Sequence, residues 1–283
     1  MTQTSSPAPR RRPKKQLPMW QRVLFHWRFP VIIVLILMLL VGIVVGVVAH
    51  KSSPKPAAND EQPPTLTELF DAAVADAVRA DADEIKPLVT LTAEDELCSI
   101  DDNGKVTLVV WHNVPDVYVK GQNVDLGGHD VWTFTDKEIL AWAKDHKKEI
   151  KSESGVLRLE QLIGLPENTG YTHFSVLKVD ASKVIRPAYQ TDPTKDEMST
   201  SFTTDPDETY LTWFNSNILS SYFEGQAYPW TRLGYTYDWA EGSGEYGLTE
   251  FLIPGTSTVT VVDTYTNEDF RVLLAQGRDL AAE

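Results

Sequence analysis

From Val31 to Ala49 the chain runs through nineteen apolar residues without a charge. A helix over that run spans roughly 28 Å, about the depth of a bilayer core. A cleaved signal peptide has an apolar core of only about 7–15 residues with a small-x-small cleavage site behind it. Here the run follows a thirty-residue leader and ends in His50-Lys51-Ser52. The pattern therefore predicts a retained transmembrane helix over residues 31–50. Within it, Gly42 and Gly46 form a G-x-x-x-G, a spacing that lets two such helices approach closely and offers a route to a homodimer.

Beyond the span the pattern changes. Residues 51–64, KSSPKPAANDEQPP, hold four prolines and almost no apolar side chain, the composition of an extended linker. Residues 65–87 predict an amphipathic helix of about five turns, started by a Thr65/Glu68 capping box, with Leu66, Leu69, Phe70, Ala73 and Val78 on its apolar face. Residues 88–283 then mix both periodicities. Val106, Leu108 and Val110 alternate behind an Asn103-Gly104 turn, predicting a hairpin. VWTFTDKEILAWAKDHKKEI predicts a strand followed by a helix capped by Thr135 and Glu138, and GVLRLEQLIGLP a short amphipathic helix. THFSVLKVD alternates as a strand. ETYLTWFNSNILSSYF predicts a helix with Leu211, Phe214, Ile218 and Phe223 inward, and GLTEFLIPGTSTVTVVDTY two strands around a Pro-Gly turn. Without a regular βαβ rhythm the fold class is α+β, one domain with an antiparallel or mixed sheet and several helices.

Charge orients the chain. Eight of the 26 basic residues and none of the 40 acidic ones lie in residues 1–51, so residues 52–283 carry 18 basic against 40 acidic, a net of −22. A basic tail at 1–30 stays in the cytoplasm, which exports the acidic domain, and lipid is the expected partner of residues 31–50. Such acidity excludes nucleic acid as a partner, since phosphate contact needs a positive surface. A lone Cys98 excludes an internal disulfide and reads as a small buried hydrophobe. The histidines lack metal-ligand spacing, so no metal site is expected. No phosphate loop or nucleophile elbow occurs.

The chemistry concentrates near the end. PWTRLGYTYDW, residues 229–239, places Tyr235, Tyr237 and Trp239 on one face of a strand, beside Trp230, Arg232 and Asp238. Exposed, these six residues form a surface for a protein or an envelope glycan; closed, they are core with phenols seeking buried partners. The carboxylates Asp238, Glu241, Glu245 and Glu250 follow. Glu250 stands inside the apolar strand LTEFLIP, where a carboxylate either faces solvent or performs a task.

Two resemblances add to this. EFLIPGTSTVTVV resembles the last core strands of ADP-ribosyltransferases, and Ser199-Thr200-Ser201 is similar to the Ser-Thr-Ser motif of one branch of that family. The resemblance implies an enzyme that uses NAD, with Glu250 stabilising an oxocarbenium-like transition state. Leu248 stands where arginine-modifying members carry a second glutamate. More broadly, LRLEQLIGLP, THFSVLKVD, PWTRLGYTYDW and GLTEF resemble an uncharacterised group of bacterial exported proteins, which implies one coherent domain and no particular activity. The expectation is thus a single-pass membrane protein whose extracytoplasmic domain recognises a protein or glycan and needs no cofactor. The alternatives are a transferase built on Glu250 and a purely structural envelope protein.

Overall fold

A computed structural model describes residues 63–223 and 227–281. The predicted tail, transmembrane helix and most of the linker, with Gly42 and Gly46, lie outside the described residues. No described helix is long and apolar enough to cross a membrane.

The described chain is mixed α and β, with six α-helices and an antiparallel sheet. Helix α1 (Leu66–Ala77) is followed by strands β1 (Lys105–His112), β2 (Asn123–Asp125) and β3 (Val131–Thr135). Helices α2 (Asp136–Asp145), α3 (Lys147–Lys151) and α4 (Gly155–Leu162) come next, then β4 (His173–Asp180) and α5 (Glu208–Tyr222). The chain ends with β5 (Tyr235–Asp238), β6 (Glu245–Thr249), β7 (Phe251–Ile253), β8 (Thr258–Thr266) and α6 (Asn267–Gln276). Six strands form one sheet in the order β2-β8-β4-β1-β3-β7, while β5 and β6 form a separate ribbon.

The central pair β1 and β4 is buried on both faces, so its two sets of alternating side chains build two cores. Val106, Leu108 and Val110 share one face with Leu177 and Val179, and there they meet Val89, Leu91, Cys98 and Tyr118 from the long loops. Val109 and Trp111 share the other with Phe174 and Val176 and pack under α2, α3, α4 and α6 through Ile139, Ile150, Leu159 and Phe270. Cys98 is buried, as its solitary state predicts, and burial with Asp95 and Asp136 nearby pushes its thiol up to about 11.

Four details depart from the expectations. Helix α1 stops at Ala77 rather than continuing to residue 87, because the Arg232 guanidinium takes its last carbonyls, donating to Ala77 O at 2.9 Å and Val78 O at 2.7 Å. The cap of α2 is half a box: Thr135 Oγ1 accepts from Glu138 N, but the Glu138 carboxylate goes to Thr249 instead. The closing segment makes three strands rather than two, because β6 pairs with β5 and ends at Thr249, after which β7 joins β3 while β8 lies between β2 and β4. On α5 only Phe214 of the predicted inward set is fully buried, and Leu211 and Phe223 are exposed, because the helix meets the ring cluster of Tyr189, Phe202 and Trp230 through Tyr210, Trp213 and Phe214.

The ribbon is fixed against α4 at close quarters. Gly247 leaves no room for a Cβ, which would fall 2.2 Å from Thr236 Oγ1 and 2.3 Å from Leu162 O. Thr236 Oγ1 donates to Leu162 O at 2.7 Å and accepts from Leu248 N at 2.7 Å. That contact brings the ribbon, and Glu250 after it, alongside β3.

Candidate functional site

A cavity of about 670 Å³ opens beside the C-terminal end of β1 and along β3. Trp111, His112, Trp132 and Phe134 come from those two strands, Ile163–Leu165 from the end of α4, and Asn217, Ser220 and Ser221 from α5. Tyr118, Tyr171 and Tyr228 enter from loops, while Trp230, Thr236, Tyr237 and Glu250 belong to the ribbon and its flanks. Rings dominate the wall. Hydroxyl, amide and imidazole groups punctuate it, and it contains no lysine or arginine. A concave site with apolar rings and a few convergent polar groups has the general form of a small-molecule site.

The sequence-predicted residues divide around this cavity. All six of the aromatic stretch are buried, so they present no external face. Trp230 and Tyr237 line the cavity, but their polar ends are committed elsewhere: Trp230 Nε1 donates to Pro187 O at 3.1 Å and Tyr237 Oη to Asp76 Oδ2 at 3.0 Å. Tyr235 Oη donates to Glu84 O at 3.0 Å, and Trp239 Nε1 to Leu165 O at 2.8 Å. Arg232 caps α1. Asp238 forms a two-bond pair with Arg158 on α4, Nη1 to Oδ1 at 3.0 Å and Nη2 to Oδ2 at 2.6 Å. Asp76, Glu84 and Glu245, beyond the Tyr237 hydroxyl, bring carboxylate oxygens within 4.8 Å of one another, a spacing that acidic surfaces also adopt without a cation.

Glu250 differs from all of these. It is not inside a strand: β6 ends at Thr249 and β7 begins at Phe251. Its backbone N–H donates to Gly234 O at 2.9 Å where the chain leaves the ribbon for the sheet edge. The side chain lines the cavity and keeps some accessible surface, yet Oε2 is shut off from solvent and meets no donor. Burial pushes this carboxyl up to about 8. Its chain neighbour shows the contrast. Thr249 donates from N and Oγ1 to the two oxygens of Glu138, at 2.9 and 3.0 Å, and Glu138, where burial outweighs those bonds, rises only to about 7.

The histidine on the wall is fixed in one form. His112 Nδ1 accepts from Val114 N at 3.1 Å, so Nε2 carries the proton and donates to Ser175 Oγ at 2.7 Å. Ser175 Oγ pairs with Thr264 Oγ1 at 2.7 Å, and Thr264 Oγ1 donates to Tyr118 O at 2.6 Å. Burial, with His173 beside it, lowers His112 to about 4, so the ring is neutral across the physiological range. Both its nitrogens serve the strands and the Tyr118 loop rather than proton transfer.

Trp132, Tyr118 and Tyr171 belong to the wall without having been singled out in the sequence. Trp132 had a signal: in VWTFT it occupies the outward slot between Val131 and Thr133, and it remains 38 % exposed. Its ring centroid lies 6.0 Å from both Trp213 and Trp230. Tyr118 and Tyr171 come from loops with no periodicity to place them, and their phenol oxygens make no hydrogen bond within the described residues; burial raises both pKa values.

NAD requires a site for two phosphates. The cavity wall has no guanidinium or ammonium to meet them, and Ser199, Thr200 and Ser201 do not line it. Compared with known proteins, the chain matches no family model, no curated protein and no solved structure.

Proposed function

We propose that this chain is a single-pass membrane protein whose domain, held outside the cytoplasm by residues 31–50, recognises an envelope glycan by taking part of it into the cavity beside β1 and β3. One observation carries the reading: a cavity of about 670 Å³ walled by indole and phenol rings, with hydroxyl and amide groups between them and no lysine or arginine. Sugar rings lay their C–H faces on flat aromatics while their hydroxyls seek such polar groups, and the desolvated aromatic anchors of a site supply most of its binding energy. The absence of Lys and Arg from the wall, with a net charge of −22 over residues 52–283, argues against phosphate-bearing ligands.

The test is titration of the detergent-solubilised full chain with short neutral oligosaccharides, read by tryptophan fluorescence. Saturable quenching whose midpoint Trp132→Ala shifts to at least tenfold higher sugar concentration is the expected result. No saturable change at millimolar sugar, across oligosaccharides of different ring stereochemistry, sinks the proposal.

An enzymic role has a single observation in its favour, the proton that Glu250 holds to about 8 inside the cavity, as a general acid would. Asp130 is the other carboxylate of the wall, and it is already engaged: Oδ2 accepts from Trp213 Nε1 at 3.0 Å and Oδ1 from Gly255 N at 2.8 Å. Glycosidic cleavage by a carboxyl pair therefore has one free partner rather than two. Recognition explains the wall with fewer demands.

A further inference from the structure

Among the described residues three buried side-chain polar atoms meet no partner: Arg186 Nε, Arg232 Nε and Glu250 Oε2. The two guanidiniums are already spent on backbone. Arg186 donates to Val89 O at 2.7 Å and to the carbonyls of Asp192 and Lys195, holding the loop after β4, while Arg232 caps α1. Glu250 has no such occupation, and it alone of the three lines the cavity.

A carboxyl with a dry, unmatched oxygen costs stability, because neither water nor a donor replaces its lost hydration. The neighbouring elements do not supply what is missing. His112 on β1 is locked neutral, and Asp130 before β3 is itself acidic and satisfied. Tyr118 and Tyr171 are held protonated by burial, Tyr222 on α5 gives its hydroxyl to Trp230 O, and His129 is exposed on the loop before β3.

We infer that the cavity takes a glycan unit bearing a free primary amine, its ammonium seated against the Glu250 carboxylate and its sugar ring on the aromatic wall. This rests on the glycan reading of the cavity and narrows it. An ammonium supplies three donors to a carboxyl that has none, and its charge favours the ionised form that burial opposes. An N-acetylated amine brings no charge and leaves Glu250 as it is. The acidic domain adds long-range attraction for a cationic polymer, without selecting any position within it.

The experiment compares two probes on the detergent-solubilised full chain: a glucosamine oligosaccharide with free amines and its fully N-acetylated counterpart, each titrated at low salt and in half-molar sodium chloride. The expected result is at least tenfold tighter binding of the amine form, retained at high salt because a buried pair is screened far less than surface charge. Glu250→Gln, which keeps the shape and removes the charge, is expected to bring the two probes to equal affinity. Should that variant misfold, the salt comparison on the native chain still decides. Equal affinities for both probes overturn the amine inference and leave the glycan reading standing. A preference that vanishes in high salt assigns the effect to overall charge and also overturns it. Failure of both probes to bind removes the glycan reading together with the inference.

Discussion

The Arg158 guanidinium on α4 meets the Asp238 carboxylate at the end of β5 through two parallel hydrogen bonds of 3.0 and 2.6 Å, with the side chains 11 % and 3 % exposed. The pair ties the ribbon to the helical layer, and Arg158 also lies 4.9 Å from the centre of the Trp142 ring. Breaking a buried pair costs about 3–5 kcal/mol when the charge left behind is unmatched; here Arg158 Nε also donates to the half-exposed Glu149 at 3.0 Å, which keeps the loss of Asp238 at or below the lower end of that range. Asp238→Asn is expected to lower the chemical denaturation midpoint accordingly. Arg158→Lys is expected to recover only part of the stability, because an ammonium cannot reproduce the two-bond fork. A measured loss below about 1 kcal/mol would show the pair to be surface-like.

Arg232 makes a second prediction, about local rather than global order. Its Nη2 satisfies the Ala77 and Val78 carbonyls, and its Nη1 donates to Tyr189 Oη at 3.1 Å. Arg232→Met keeps the bulk and removes the donors. Amide exchange across residues 74–78 should then speed up by an order of magnitude or more, following about 1.5–3 kcal/mol per charged hydrogen bond lost. Unchanged exchange there would mean that the helix end is held by packing alone.

How far the sequence foretold the molecule depends on the range of the interactions involved. Strands β1, β3 and β4 and helices α2, α4 and α5 were legible from local periodicity. So were the capping box of α1 and the turn at Gly104, whose φ of 73° suits glycine. Helix α6 was legible in principle, through Thr266 accepting from Asp269 N and a left-handed Gly277, and went unread behind the strand before it. Long-range choices were not legible. The pattern of PWTRLGYTYDW fits an open face as well as a closed one, and what closes it is Asp76, Pro187 and Leu165, far away in the chain. Glu250 stood out because a carboxylate in an apolar run is costly wherever it lands. The cavity around it draws on four separate stretches, including loops with no pattern of their own.

Glu250 and Glu138 give stability a component that depends on pH. Burial raises both carboxyls, to about 8 and about 7, above an ordinary value of 4.5. Between pH 4.5 and these values the unfolded chain has released protons that the folded chain retains. Their contribution to folding stability therefore falls as pH rises through this window and levels off above about 8, while the buried neutral His112, lowered to about 4, contributes in the opposite sense up to its ordinary 6.5. Glu250→Gln removes one of the two contributions. Near pH 5 it should match the native protein, and at pH 8.5 it should be more stable by about 1–3 kcal/mol. Denaturation curves at the two pH values check this, and a variant equally destabilised at both would show that Glu250 has a hidden hydrogen-bond partner.

Two tryptophans of the same wall should separate binding from folding. Trp230 is buried, donates to Pro187 O and meets the Phe214 ring at a 60° tilt with centroids 4.9 Å apart, so Trp230→Ala should cost about 3–5 kcal/mol of stability. Trp132 is 38 % exposed, and its indole N–H has no partner within the described residues. Its ring is anchored only by the edges and faces of its neighbours, so Trp132→Ala should cost about 1 kcal/mol or less. If the cavity binds a sugar ring, the same change should weaken binding tenfold or more, since stacked aromatics dominate such sites. Thermal melts paired with ligand titrations on both variants decide the matter. A Trp132→Ala protein that binds as tightly as the native chain would move the ligand away from β3 and out of this cavity.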